Sequence, residues 1–123
     1  MANTKQMIHI KRIYEPAAPG DGLRVLVDRL WPRGLSKRAA NIDLWAKELA
    51  PTVPLRRWFH KDPSGRWKEF ATRYRKELRG HKDALTDFRT QVRKSRKVTL
   101  LYAGADTEHS HAQVLLKFLS NKA

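Results

Sequence analysis

Three segments of the chain place apolar and polar residues in patterns that predict β-strands. Residues 7–13, MIHIKRI, alternate between the two classes and are rich in β-branched side chains. Residues 23–29, LRVLVDR, and 98–104, VTLLYAG, are nearly continuous apolar runs, as expected for parallel strands that are buried on both faces. The loop YEPAAPGDG, rich in proline and glycine, separates the first two strands.

Between the second and third strands, apolar residues recur at helical spacing and prolines interrupt the pattern. Four helices are predicted there: 43–49 with Asp43 as N-cap, 54–60, one that is capped by Ser64 or Gly65 and ends at Gly80, and 83–95. After the third strand, Asp106 is expected to cap a last helix. His111 shares one face of that helix with three apolar residues, Val114, Leu115 and Phe118.

This order of elements predicts a single small α/β domain over residues 1–123. Its sheet should be short and mainly parallel, with about three or four strands covered by helices. The long helical segment between the second and third strands fits a crossover that joins parallel neighbours.

Composition narrows the classes of function. The chain has no cysteine, which excludes disulfides, thiolate nucleophiles and cysteine metal sites, and which fits an intracellular protein. The start, MANTKQM, lacks the apolar core of a signal peptide, and no apolar run is long enough to span a bilayer. We therefore expect a cytoplasmic protein with no membrane partner.

The net charge of +14 is concentrated in the middle of the chain, where residues 35–97 carry eighteen Lys and Arg against seven Asp and Glu. Such a bias is typical of proteins that bind nucleic acid or another polyanion. The candidate contact residues on the basic helices, residues 66–97, are Lys68, Arg75, Arg79, Arg89, Arg93 and Arg96. A solvated helix face is the commoner explanation, and pairs such as Glu69 with Arg73 and Arg73 with Glu77 would neutralise part of this charge.

The more specific candidate site follows from the ends of the predicted strands. In open α/β sheets, ligands bind beyond the carboxyl ends of the strands. That rule selects two loops, Asp28–Gly34 and Tyr102–His111. If the second and third strands are neighbours, the first loop's Asp28, Arg29, Trp31 and Arg33 face the second loop's Tyr102, Asp106, His109 and His111.

These residue types suit an anion or a phosphate-bearing ligand, and the roles follow from their chemistry. Arg29 and Arg33 would hold the anion, and Trp31 and Tyr102 would wall the pocket. Asp28 and His111 are the candidates for acid/base chemistry. Asp106 and His109 are further ligand-binding candidates, since they lie on the same loop.

Each assignment has a structural alternative. Asp28 and Arg29 can form an ordinary ion pair, His111 can be a hydrogen-bonded core residue, and Asp106 can interact only with His109. No metal site is predicted, because two histidines at i and i+2 on a helix point in different directions. The sequence also carries no cofactor motif.

Three ordered segments are similar to a known family: RVLVDRLWPRGLSK, IDLWAKELAPTVPLRRWF and VTLLYAGADTEHSHAQVL. They resemble the YeaO-like branch of domain-of-unknown-function family four-eight-eight, over about Ile8 to Leu119. The broader family has Asp and Arg after a strand and Pro and Arg in the next turn, a pattern that Asp28, Arg29, Pro32 and Arg33 resemble. The branch usually has Asn before the histidine of the last helix, where this chain has Ser110.

The resemblance implies a bacterial or archaeal cytoplasmic α/β protein, and it implies no reaction, because the family has no settled function. It also draws attention to Lys47 and Glu48, which belong to a family motif and are otherwise typical of a helix charge pair. Three hypotheses remain open on the sequence alone. They are a small anionic or nucleotide-related ligand at the strand ends, nucleic-acid binding by the basic helices, and a homodimer with tryptophans in its interface in place of a monomer.

Overall fold

A computed structural model describes residues 6–120. Within these residues the four strands are β1 (Met7–Arg12), β2 (Leu23–Leu26), β3 (Leu44–Trp45) and β4 (Lys97–Tyr102). The same part of the chain contains five α-helices, α1 (Lys37–Ala40), α2 (Val53–His60), α3 (Pro63–Gly80), α4 (Lys82–Val92) and α5 (His111–Ser120), and two 3₁₀ turns at Pro19–Asp21 and Lys47–Leu49. Within the described chain, no helix is both long and apolar enough to cross a membrane. Residues 1–5 and 121–123 lie outside the described residues. The first range belongs to the segment in which no signal peptide is expected, and the second belongs to the predicted domain.

All four strands are parallel, in the order β1-β4-β2-β3. The predicted α/β class with a short parallel sheet is confirmed. The last strand in sequence, β4, lies between β1 and β2, where it pairs Ile10 with Leu100 on one side and Val25 with Leu100 on the other. The second and third predicted strands are therefore neighbours, as the candidate site requires.

The alternation of side chains explains why the central strands are apolar throughout. Val25, Val27 and Leu100 belong to the main core with α2, α3, α4 and α5. Leu26 and Leu101 point to the opposite face, where they pack with Ile13 and Ala40. Because both faces are covered, nearly every position of β2 and β4 is buried.

The predicted helix at 43–49 is wrong. Leu44 and Trp45 instead form the short strand β3 beside β2, and a 3₁₀ turn follows. Asp43 caps no helix there: its carboxylate accepts the backbone N–H of Arg24 at 2.8 Å, and its own N–H donates to the Arg24 carbonyl. Pairing with the open edge of β2 outweighs the local helical pattern, as tertiary context often does.

The other helices are present, with shifted ends. Asp62 caps α3, since its carboxylate accepts the Gly65 N–H at 3.2 Å, so the expected cap at Ser64 or Gly65 is wrong. The helix predicted at 83–95 ends at Val92. Arg96 lies beyond it, so the predicted stripe of Arg89, Arg93 and Arg96 does not run along one helix.

The last helix begins later than its predicted cap. The Ser110 hydroxyl accepts the Ala112 N–H at 3.1 Å at the start of α5. Asp106 instead accepts the N–H groups of Glu108 and His109 and so closes the turn before the helix. The later start places His111 in the first turn of α5, facing the end of β2.

A buried ion pair fixes the entry to β2. Asp21 and Arg24 are 7% and 4% exposed, and their side chains are in direct contact. Arg24 also donates to the carbonyls of Ala40 and Asn41, and Lys11 donates to Asp21 at 3.0 Å. Burial opposes ionisation of Asp21, but hydrogen bonds from the Ala18 N–H and from the Lys11 and Arg24 side chains lower its pKa overall.

Candidate functional site

A cavity of about 480 Å³ lies at the carboxyl ends of β2 and β4. Its walls come from the loop after β1, the turn after β2, helix α2 and the loop between β4 and α5. The lining includes Tyr14, Asp28, Arg29, Trp31, Arg33, Arg56, His60, Asp106, His109, Ser110 and His111. The structure therefore brings seven of the eight strand-end candidates to one cavity.

Asp28 joins the ends of the two central strands. Its Oδ2 accepts the backbone N–H of Ala103, just after β4, at 2.9 Å. Its carbonyl accepts the indole N–H of Trp45 at 2.7 Å. Within residues 6–120, its buried Oδ1 receives no hydrogen bond. Position and side-chain orientation of Asp28 are thus fixed by β3 and β4 together.

His111 lies against both Val27 and Asp28. Its Nε2 is 2.9 Å from the Val27 carbonyl oxygen and 3.3 Å from Oδ1 of Asp28. Because a carbonyl oxygen only accepts, the short contact assigns the hydrogen to Nε2. The ring also meets Tyr74 edge to face at 6.0 Å. His111 is therefore a hydrogen-bonded residue at the edge of the core, and it also lines the cavity.

Burial governs the electrostatics of this pair. It raises the pKa of Asp28, against the opposing effects of His111, the Ala103 N–H and Arg56. It lowers the pKa of His111, against the attraction of Asp28 and the hydrogen bond to Val27, and Arg56 lowers it further. The pKa of His60 is lowered by burial, by Arg56 and by His111. At neutral pH both imidazoles are therefore uncharged rings.

The three arginines of the cavity differ in what they do. Arg29 donates to the carbonyls of Ala50 and Pro51 at 3.0 and 3.1 Å, so it braces the segment before α2. Arg33 and Arg56 are exposed, and within residues 6–120 their guanidinium groups make no hydrogen bond or ion pair. The cavity therefore contains two guanidinium groups, those of Arg33 and Arg56, that have no hydrogen-bond or ion-pair partner among the described residues.

Trp31 presents ring surface to the cavity. Its indole N–H donates to the Leu35 carbonyl at 2.6 Å, and its ring meets Trp45 edge to face at 5.5 Å. Since its one donor is used within the turn, Trp31 offers a ligand only its aromatic surface. The neighbouring turn is held by the Tyr14 hydroxyl, which donates to the Arg33 carbonyl at 2.9 Å.

Tyr102 does not line the cavity, although the sequence places it among the pocket walls. It is 4% exposed and packs in the main core. The reason is the two-residue alternation of β4, which gives Tyr102 the same face as Val98 and Leu100. Burial raises its pKa.

Asp106 and His109 interact mainly with each other at the cavity edge. Oδ2 of Asp106 is 2.9 Å from Nδ1 of His109, and this hydrogen bond is the largest cause of the lowered pKa of Asp106. His109 also meets Trp67 edge to face at 5.4 Å. The local interaction between Asp106 and His109, which the sequence offered as the alternative to ligand binding, is present in the structure.

Sequence reasoning missed three titratable residues of the lining: Tyr14, Arg56 and His60. Tyr14 follows β1, whose carboxyl end meets the same sheet edge, so the strand-end rule applied to β1 would have selected it. Arg56 and His60 lie at i and i+4 on α2, beside the buried Leu55 and Phe59. No local signal places α2 against the strand ends.

The remaining candidates lie away from the cavity. Lys68, Arg75 and Arg79 are exposed on α3, and Arg89, Arg93 and Arg96 are exposed on or after α4. Arg73 pairs with Glu69, whereas Glu77 binds Thr52 instead of Arg73. The Lys47 ammonium lies over the Trp45 ring at 4.6 Å. All four tryptophans are half-buried and make contacts within the chain.

Comparison with known proteins agrees with the resemblance in the three segments. A family model described as "Inactive DUF488-N3 subclade" matches residues 7–123. The chain is 40% identical over 115 residues to the uncharacterised protein YeaO of Escherichia coli, covering 91% of this chain and 96% of YeaO. It is also 40% identical over 115 residues to uncharacterised proteins of Mycobacterium bovis and Mycobacterium tuberculosis, covering 94% of this chain and 95% of each relative. No solved structure matches. With its strand-end Asp, Arg, Pro and Arg in place and a family model matched along nearly its whole length, this chain belongs to the DUF488 family.

Proposed function

We propose that this protein binds a small anionic or phosphate-bearing ligand in the cavity at the carboxyl ends of β2 and β4. The observation that carries the proposal is the pair Arg33 and Arg56, whose guanidinium groups line one cavity and are unpaired within the described chain. Guanidinium groups bind phosphate and carboxylate through two parallel N–H donors, which makes them suited to such a ligand.

Hydrogen bonds hold the backbone on either side of these two arginines. Arg29 fixes the segment that leads into α2, and Tyr14 fixes the turn that carries Arg33. Both free arginines therefore project from backbone that is held by hydrogen bonds. A site whose donors are already positioned loses less conformational entropy when a ligand binds.

Asp28 and His111 form the floor of the proposed site. Both groups are titratable and their pKa values are shifted by burial, so a charge brought into the cavity can change the protonation state of either one. The matching family is described as inactive, which favours a binding role for this pair over turnover. We therefore propose ligand binding, with the proton of the pair as a responsive group.

The test is titration with inorganic phosphate, followed by calorimetry and by thermal denaturation at fixed ionic strength. Arg33→Gln and Arg56→Gln are the test variants. Arg57→Gln is the matched control, because Arg57 is the exposed neighbour of Arg56 on α2 and does not line the cavity. All three variants remove one positive charge.

We expect each test variant to weaken phosphate binding by about tenfold, the effect of losing a hydrogen bond to a charged group. Arg57→Gln should bind phosphate like the wild type. Equal weakening by all three variants would mean that phosphate responds only to the overall positive charge, and the cavity would lose its assignment.

The basic helices remain a second candidate site, for nucleic acid. Lys68, Arg75 and Arg79 support it, since they are exposed along α3. Replacement of these three residues by Gln should then reduce the slope of log K against log salt concentration for DNA binding by roughly 0.9 for each DNA phosphate that is no longer neutralised. An unchanged slope would assign these side chains to a solvated surface.

A further inference from the structure

The cavity is much larger than a single small anion bound by Arg33 and Arg56 would fill. Its volume of about 480 Å³ lies in the range of pockets that hold whole small molecules. Phosphate would occupy the region near Arg33 and Arg56, which are exposed residues of the lining. The remaining volume belongs to the rest of the ligand.

Rings and prolines make up much of the cavity lining. The ring side chains of the lining are Tyr14, Trp31, Phe59, His60, Phe70 and His111, and Pro32, Pro51 and Pro63 accompany them. Such a lining favours an apolar, flat group over a polyhydroxylated one, because few of these groups offer a hydrogen bond.

Two separate segments each supply one ring and one guanidinium. The turn after β2 provides Trp31 and Arg33, two residues apart, and α2 provides Arg56 and His60, one helical turn apart. The Trp31 N–H is used by Leu35, so its ring is what it offers. The lowered pKa of His60 makes its imidazole a neutral aromatic surface as well.

We propose that the ligand is a planar aromatic or heteroaromatic ring that carries an anionic group such as phosphate. The ring stacks on Trp31 and contacts His60, and the anion binds Arg33 and Arg56. This inference rests on the proposed anion site and goes further, since it names the part of the ligand that is not charged.

The experiment compares phenyl phosphate with methyl phosphate by calorimetry, because the two share the anion and differ in the ring. Phenol, a ring without the anion, is the third probe. In the wild type we expect phenyl phosphate to bind about tenfold more tightly than methyl phosphate, the effect of one stacked ring. Phenol should show no measurable binding, since it lacks the group held by the arginines.

Variants assign the preference to the proposed rings. Trp31→Leu and His60→Ala should each reduce the phenyl advantage, and Trp31→Phe should keep most of it. Trp58→Leu is the matched control, since Trp58 is half-buried and does not line the cavity. His60 is exposed, so His60→Ala reports on the site even if Trp31→Leu fails to fold.

The outcomes separate the two proposals. Equal binding of methyl and phenyl phosphate by the wild type would refute the ring and leave the anion site standing. An advantage that survives both Trp31→Leu and His60→Ala would refute these two residues as the ring contacts. Failure of both esters and of inorganic phosphate to bind would refute the anion site and the ring together.

Discussion

Nε2 of His111 lies 3.3 Å from Oδ1 of Asp28, and both groups are largely withdrawn from solvent. The contact joins the first turn of α5 to the residue that follows β2. Burial disfavours the charged form of each partner, so it raises the pKa of Asp28 and lowers that of His111. The folded protein therefore resists protonation of the imidazole that an unfolded chain would accept.

The stability of the protein should fall as the pH drops below about 6.5, the ordinary pKa of histidine. The unfolded chain then binds a proton at His111 before the folded chain does, and each unit of pKa difference corresponds to about 1.4 kcal/mol. His111→Gln keeps a donor for the Val27 carbonyl and should reduce this fall. Urea denaturation at pH 7.5 and 5.5 measures it, and an identical fall in both proteins would contradict the assignment.

Two other groups change the pH dependence of stability in defined directions. His60 has a lowered pKa and adds to the fall, so the His111 variant removes only part of it. Asp28 acts in the opposite direction: its raised pKa means that the folded chain takes up a proton first as pH falls towards 3.8. As the pH approaches 3.8, the loss of stability caused by the histidines should therefore be partly offset.

Asp21→Asn should destabilise the protein by about 3 kcal/mol, because it leaves the buried guanidinium of Arg24 without its counter-charge. Glu69→Gln breaks an ion pair with Arg73 whose side chains are 56% and 50% exposed, and it should cost less than about 1 kcal/mol. Urea denaturation of both variants at pH 7 makes the comparison. Similar losses of unfolding free energy in the two variants would show that burial of the Asp21–Arg24 pair does not increase its contribution to stability.

Gly22→Ala should destabilise the protein by roughly 3 kcal/mol or more. Gly22 has φ of 65°, and an added Cβ would lie 2.3 Å from the Lys97 carbonyl oxygen at the start of β4. Gly34→Ala is the matched control, with φ of 75° and open space around the new methyl group. It should cost only about 1 kcal/mol of backbone strain. Thermal and urea unfolding of the two variants should differ accordingly.

Tyr14→Phe should weaken phosphate binding by roughly twofold to tenfold, the range for loss of one neutral hydrogen bond. The lost bond joins the Tyr14 hydroxyl to the Arg33 carbonyl, so the turn that carries Arg33 becomes less well fixed. Because Tyr14 is 43% exposed, the melting temperature should change little. Calorimetric titration with phosphate checks the affinity, and unchanged binding would show that the turn needs no such support.

The sequence was sufficient for the parts of the fold that depend on local pattern. Alternating apolar and polar residues located β1, apolar runs located β2 and β4, and the strand-end rule correctly placed Asp28 near His111. The strand β3 was not predicted, because its two residues, Leu44 and Trp45, are too few to show a periodic pattern. Its formation depends on the free edge of β2, which only the folded sheet presents.

The site was predictable only where its residues follow strands directly. Arg56 and His60 reach the cavity from a helix, and the packing of α2 against the strand ends is a tertiary property. The sequence could have shown that Tyr102 belongs to the core, because residues two apart on a strand lie on the same face and Tyr102 is in step with the buried Val98 and Leu100. The two-residue alternation assigns a strand residue to one face of the sheet, whereas its closeness to the strand end does not.

The central place of β4 sets the order in which a growing chain can assemble. Until Lys97–Tyr102 leaves the ribosome, β1 has no neighbouring strand among the described residues, and β2 has only the two residues of β3 beside it. Parallel pairings between distant segments form slowly, and unpaired strand edges expose a chain to aggregation. The apolar β2 segment therefore lacks its β4 neighbour during the synthesis of about seventy residues, and its unpaired edge is open to aggregation during that interval.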